Sequence, residues 1–125
     1  MLIMLMFNFL IFVMHMHIFF FLLFSLMPDI HVASLNMNGA RQPLKRAELF
    51  EVMRQKKIDV IFLQETHSDA INAVDWAKEF KGQIFLSHNT TNSGGVAILF
   101  SPNSTPVSYE VDDIVKGRLL KVSPV

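Results

Sequence analysis

The chain changes character once. Residues 1–28 carry no Lys, Arg, Asp or Glu, and apolar and polar positions alternate in short blocks from residue 29 onward. Residues 30–35 are apolar on both faces of an extended segment, which predicts a covered central strand. Asn38-Gly39 breaks that run, and Pro43 suits a first helical turn. Residues 44–57 then repeat with helical spacing. Leu49, Phe50 and Met53 form the apolar stripe, leaving Arg46, Glu48, Arg54 and Lys56 for solvent. Residues 58–63 are a second, almost wholly apolar strand. A strand, a helix and a strand in so short a stretch predict a βαβ unit, with parallel strands and a right-handed crossover.

Ser68 or Asp69 can cap a second helix that runs to about Phe80 and carries Ile71, Val74 and Trp76. Residues 83–87 are a third strand, 88–93 a polar loop, and Gly94-Gly95 opens a fourth strand at 96–100. Residues 106–111 and 119–122 can be two further strands, with Asp112-Asp113 as a turn and Gly117 between them. These elements make an α/β domain over residues 29–125, a sheet with helices on one side. There is no internal repeat.

Residues 1–28 form a separate apolar segment. As a helix, residues 1–27 would be about 40 Å long, enough to span a bilayer core of about 30 Å. A cleaved signal peptide fits less well, because there is no basic n-region and no small-x-small cleavage site. Pro28-Asp29 leads into the first strand with no linker. The segment is therefore either a membrane helix or an accidental leader translated from upstream of a gene fragment. His15 and His17 lie on opposite sides of such a helix and cannot share a metal.

Composition narrows the functional classes. All charged residues lie in 29–125, with 11 basic and 11 acidic side chains. Zero net charge leaves a local basic patch as the only electrostatic route to nucleic acid. Without cysteine there is neither a disulfide framework nor a thiolate metal site.

The candidate chemistry sits at two strand ends. Ser34-Leu35-Asn36-Met37-Asn38-Gly39 closes the first strand, and Leu63-Gln64-Glu65-Thr66-His67 closes the second. Parallel strands end on one side of a sheet, so Asn36 and Glu65 are expected to converge at its carboxyl edge, where open α/β sheets place ligands. A carboxylate beside an amide oxygen suits a hard cation such as magnesium, which is completed by waters and phosphate oxygens. Taken singly, a Glu at a strand end is usually a surface or capping residue, and Asn-x-Asn-Gly is usually a turn.

Together with Ser93-Gly94-Gly95-Val96-Ala97-Ile98-Leu99-Phe100, these motifs resemble the endonuclease/exonuclease/phosphatase superfamily. The likeness is most specific to the apurinic-type endonuclease domain of LINE-type non-LTR retrotransposons. It covers about residues 30–123, and it includes the stretches 75–88 and 107–122. The resemblance implies part of a deoxyribonuclease-like α/β sandwich, preceded here by the apolar segment, with magnesium as cofactor and DNA as partner. It implies that Asn36 organises the metal and phosphate site and that Glu65 binds the metal. Asn38, Gln64, His67, Gly94 and Gly95 match positions near the site and are assigned structural roles.

The family's later elements are a catalytic Tyr, an Asp-x-Asn, a further Asp and an Asp-His pair. None has a match here, and Tyr109 belongs to the family's early region. General base catalysis is then missing, so the chain is expected to be an inactive fragment that exposes an apolar face and an unpaired sheet edge. Two alternatives remain. One is a membrane-anchored or secreted phosphodiesterase, for which Asn89-Thr90-Thr91 and Asn103-Ser104-Thr105 would be glycosylation sequons. The other is a non-enzymatic small membrane protein. Localisation follows residues 1–27: membrane if they insert, otherwise intracellular and, by the resemblance, nuclear.

Overall fold

A computed structural model describes residues 14–18, 22 and 28–125. The strands are β1 (Val32–Asn36), β2 (Val60–Gln64), β3 (Gln83–Ser87), β4 (Val96–Phe100), β5 (Tyr109–Val115) and β6 (Leu119–Pro124). The helices are α1 (Pro43–Gln55) and α2 (Asn72–Glu79). The expected helix over residues 1–27 lies largely outside the described residues. Residues 14–18 and 22 are helical, and among the described residues no helix is long and apolar enough to cross a membrane.

β1 to β4 form one sheet in the order β1-β2-β4-β3. β1 and β2 are parallel, and β4 runs antiparallel to both β2 and β3. β1, β2 and β3 therefore all end at the same edge, where β4 begins. The expectation of a covered central strand for β1 fails. β1 is the edge strand, and every residue in it except the half-buried Ala33 is exposed. Of its apolar residues only Ala33 packs against the core.

The core lies on one face of this sheet. Ile61, Leu63, Ala97 and Leu99 point to α1 and α2, whose Leu49, Met53 and Trp76 complete the buried cluster. Trp76 is fully buried, whereas Ile71 and Val74, expected beside it, are exposed. α2 is a short helix, so only one of its apolar positions reaches the sheet. Its start is fixed by Asp69, whose Oδ1 accepts the backbone N–H groups of Ile71 and Asn72 at 2.9 and 2.8 Å.

Arg46 also departs from expectation. It is buried, not solvent-facing. Its Nε and Nη2 donate to the Glu79 carboxylate at 2.6 and 2.7 Å, and Nη1 donates to the carbonyls of Ala40 and Arg41 at 3.0 and 2.6 Å. The guanidinium also lies over the Trp76 ring at 5.9 Å. One fork thus ties α1, α2 and the chain entering α1 together, a geometry that a lysine could not reproduce.

The other face of the sheet is only partly covered. Phe85 packs ring edge to face against Tyr109 of β5, with centroids 4.8 Å apart. Phe62 and Val32, farther along the same face, are 41% and 59% exposed. β5 and β6 form a separate antiparallel pair. Asp112 and Asp113, expected as a turn, lie within β5, and the chain reverses at 116–118 instead. Asp113 is retained in the strand by a bond from Ser87 Oγ at 2.6 Å.

Candidate functional site

The carboxyl edge is built by backbone bonds between loops. β1 and β2 pair in register from Val32↔Val60 to Asn36↔Gln64. The ladder continues past both strands: Met37 N–H donates to Gln64 O at 2.8 Å, Gly39 N–H to Glu65 O at 2.7 Å and Ala40 N–H to Thr66 O at 3.0 Å. The loop that opens β4 joins from the other side, where Thr66 and His67 donate to Gly95 O and Gly94 O at 3.1 and 3.0 Å. Asn36 and Glu65 thus stand on adjacent loops that cannot shift independently.

Holding three loops this close requires unusual backbone. Asn38, Glu65 and His67 all have positive φ, at 47°, 52° and 51°, and Gly39, Gly94, Gly95 and Gly117 share that region. A non-glycine residue held there costs free energy and tends to mark ligand-handling sites. At Gly95 a Cβ would lie 2.4 Å from Thr66 Oγ1, so the close approach requires glycine as well.

The side chains follow from this frame. Glu65 Oε2 accepts Gly94 N–H at 2.9 Å and His67 Nε2–H at 3.0 Å. The carboxylate fixes the His67 tautomer, because it can only accept. The Gly94 amide, then His67, and the nearby charge of Arg118 hold the Glu65 carboxyl below its ordinary range, so it is ionised at neutral pH. No described residue hydrogen-bonds Glu65 Oε1. Asn36 is exposed, and its Oδ1 accepts Asn38 N–H at 2.9 Å, an Asx turn that sets the loop. Gln64 Nε2 turns away to Ser34 Oγ at 3.0 Å.

Several site residues escaped the sequence reading. Lys45 in the first turn of α1 donates its ammonium to Met37 O and, at 3.3 Å, to Asn38 O. Beneath Glu65 a buried polar chain runs from Thr66 Oγ1 to Ser68 Oγ at 3.1 Å and on to His88 Nδ1 at 2.8 Å. Lys45 looked like one more basic helix residue. Thr66 looked like a loop residue and Ser68 like a helix cap, and the sequence carried no signal that both are fully buried.

The donor set fits a hard divalent cation in kind. It offers an ionised carboxylate with one free oxygen and, at the end of the adjacent strand, an amide oxygen with a spare lone pair, the kinds of donor magnesium accepts when water and substrate complete its shell. It does not form a closed cage. Among the described residues no group of three or more His, Cys, Asp or Glu is placed to hold a metal.

Residues 33–119 match the Endonuclease/Exonuclease/phosphatase family. The chain belongs to that family. It is also 37% identical over 89 residues to the Transposon TX1 uncharacterized 149 kDa protein of Xenopus laevis. That alignment covers 71% of this chain and 7% of the transposon protein, so the chain spans a small part of that relative's length. Both the family match and the transposon relative agree with the resemblance drawn from the motifs. The matched span begins inside β1 and ends at the start of β6, so it contains every loop of the carboxyl edge described above.

Proposed function

We propose that this chain carries the first half of a magnesium-dependent DNA endonuclease site, and that its 125 residues do not cleave DNA by themselves. The observation that carries the reading is the register of β1 and β2. It sets Asn36 and the ionised Glu65 on adjoining, mutually bonded loops at the carboxyl edge. Family membership supports a nucleic acid substrate and dependence on a metal.

The roles follow from the donors. Glu65 Oε1 would bind the metal directly, while Gly94 and His67 hold the other oxygen and stop the carboxylate rotating. Asn36 would orient the phosphate or complete the metal shell through its amide, fixed by the Asx turn. A bound magnesium ion would polarise the phosphodiester and stabilise charge developing on the leaving oxygen. Hydrolysis also requires a base to take the proton of the attacking water. His67, the nearest candidate, already donates to Glu65.

Two measurements test this. Water-proton relaxation with manganese should report binding to the full chain that is lost in Glu65→Ala. Supercoiled plasmid should remain intact with the full chain in magnesium. Manganese binding that survives Glu65→Ala would remove the metal role. A nick that disappears in Glu65→Ala would overturn the claim of inactivity while upholding the chemistry.

A further inference from the structure

The turn between β5 and β6 is fastened to the carboxyl edge without using its charged side chains. Gly117 N–H donates to Ser87 Oγ at 2.6 Å, and Gly95 N–H donates to Gly117 O at 2.9 Å. Ser87 Oγ–H in turn donates to Asp113 Oδ1 at 2.6 Å. Ser87 and Gly117 are buried, and a Cβ on Gly117 would fall 2.4 Å from Asn89 Cβ. The backbone at Gly117 is therefore locked against two loops of the site. Gly95, which binds it, follows Gly94, whose amide holds Glu65.

The turn's cations remain available. Lys116 and Arg118 are exposed, and no described residue forms a hydrogen bond or ion pair with either side chain. An exposed arginine is usually only a solvated surface charge. Arg118 differs in two respects. It follows Gly117, whose backbone is locked to Ser87 and Gly95, and its positive charge is one of the smaller causes that lower the Glu65 carboxyl. A phosphate brought to Asn36 and Glu65 would be repelled by that carboxylate. A guanidinium carried on that fixed turn offsets the repulsion and can take two phosphate oxygens in its planar fork.

We propose that the β5–β6 turn is a phosphate contact of the site, with Arg118 binding the backbone of a nucleic acid strand next to the phosphate held at Asn36 and Glu65. Such a contact positions the strand and reads no sequence. The proposal rests on the nucleic acid reading given above. It adds a residue from the hairpin, which the strand-end motifs do not include.

The test is binding of a short DNA duplex to the full chain in mild non-ionic detergent with EDTA, followed by fluorescence anisotropy across a salt series. Arg118→Gln should weaken binding most at low salt and lower the slope of log affinity against log salt by about one. Arg118→Lys should keep the wild-type slope, because the charge stays. Lys81→Gln, which precedes β3 at the opposite edge of the sheet, should leave the slope unchanged. An unchanged slope in Arg118→Gln with a normal unfolding midpoint would overturn the Arg118 contact and leave the endonuclease reading standing. Equal losses in Arg118→Gln and Lys81→Gln would also overturn it, since binding would then be diffuse. Failure of the wild-type chain to bind duplex at any salt would sink the nucleic acid reading itself, and this contact with it.

Discussion

The two edges of the four-stranded sheet solve different problems. At the amino edge lies the larger hollow, a groove of about 990 Å³ with Phe50, Met53, Ile58 and Phe80 in its wall. Its charges are largely satisfied by near neighbours. Asp59 accepts His31 N–H and Ser104 Oγ–H, each at 2.8 Å, and Glu51 pairs with Arg54 at 2.6 Å. The hollow at the carboxyl end, lined by Arg41, Pro43, Asp69 and Asn72, is smaller at about 600 Å³, yet this edge contains every positive-φ residue among those described except Lys57. Cavity size would point to the amino edge. Backbone held away from its preferred conformation, together with a carboxylate that keeps an oxygen free, supports the carboxyl edge as the proposed site.

The sharpest way to break this contrast is Gly95→Ala. The new Cβ must occupy φ +85° and would meet Thr66 Oγ1 at 2.4 Å. Left-handed strain and overpacking together should cost about 3 kcal/mol. Denaturant unfolding should show a lower midpoint, and the amides of Thr66 and His67, which bond the two glycine carbonyls, should lose protection from hydrogen exchange. A variant as stable as wild type would mean that the loops are not packed as closely as the contrast requires.

These close approaches explain what the sequence did and did not disclose. Apolar runs and glycine breaks were enough to predict β1 to β4, both helices and the parallel β1–β2 pair, because each depends on local periodicity. That Asn36 and the residue after β2, Glu65, lie at one edge followed from topology, since parallel strands share an edge. Burial of charge was not legible. Arg46 occupies a polar helical position by periodicity, yet it is drawn inward by Glu79 and two carbonyls that only the folded chain assembles. Asp113 was misread for the same reason. Asp-Asp favours a turn locally, but a bond from Ser87, far away in sequence, holds it in a strand. Edge position was equally hidden. The residues of β1 are apolar, but their number of strand neighbours is set by the order β1-β2-β4-β3.

A second test separates the edges by their carboxylates. Glu65 is held below its ordinary range chiefly by the Gly94 amide, and Asp59 chiefly by the His31 amide. A lowered folded-state pKa means stability that is present above the ordinary carboxylate range and lost as pH falls through the lowered value. Glu65→Gln and Asp59→Asn should each flatten the acid limb of the stability profile below about pH 4, where unfolded carboxylates take up protons. Only one edge should respond to metal. Magnesium should protect wild type and Asp59→Asn against acid, because it competes with the proton at Glu65, and should do nothing for Glu65→Gln. Equal magnesium protection in both variants would erase the distinction between the edges.

The smallest effect tests the one exception. Lys57 sits at φ 52° at the amino edge, where it ends α1. Ile58 N–H donates to Met53 O at 2.9 Å and Lys57 N–H to Arg54 O at 3.3 Å, the two bonds of a left-handed helix stop that glycine usually fills. The side chain of Lys57 is exposed and makes no bond to a described residue. Its strain therefore has a structural cause alone, the turn from α1 into β2. Lys57→Gly should stabilise the protein by up to about 1 kcal/mol, since glycine adopts this backbone without the Cβ clash and loses some of that gain to a freer unfolded chain. It should leave manganese binding and the salt slope of DNA binding unchanged. Glu65 lies in the same backbone region at nearly the same φ, but there the strained residue also carries the ionised side chain of the proposed site. A fall in metal or DNA binding in Lys57→Gly would show that the two edges are coupled and that strain at the amino edge is not merely a helix stop.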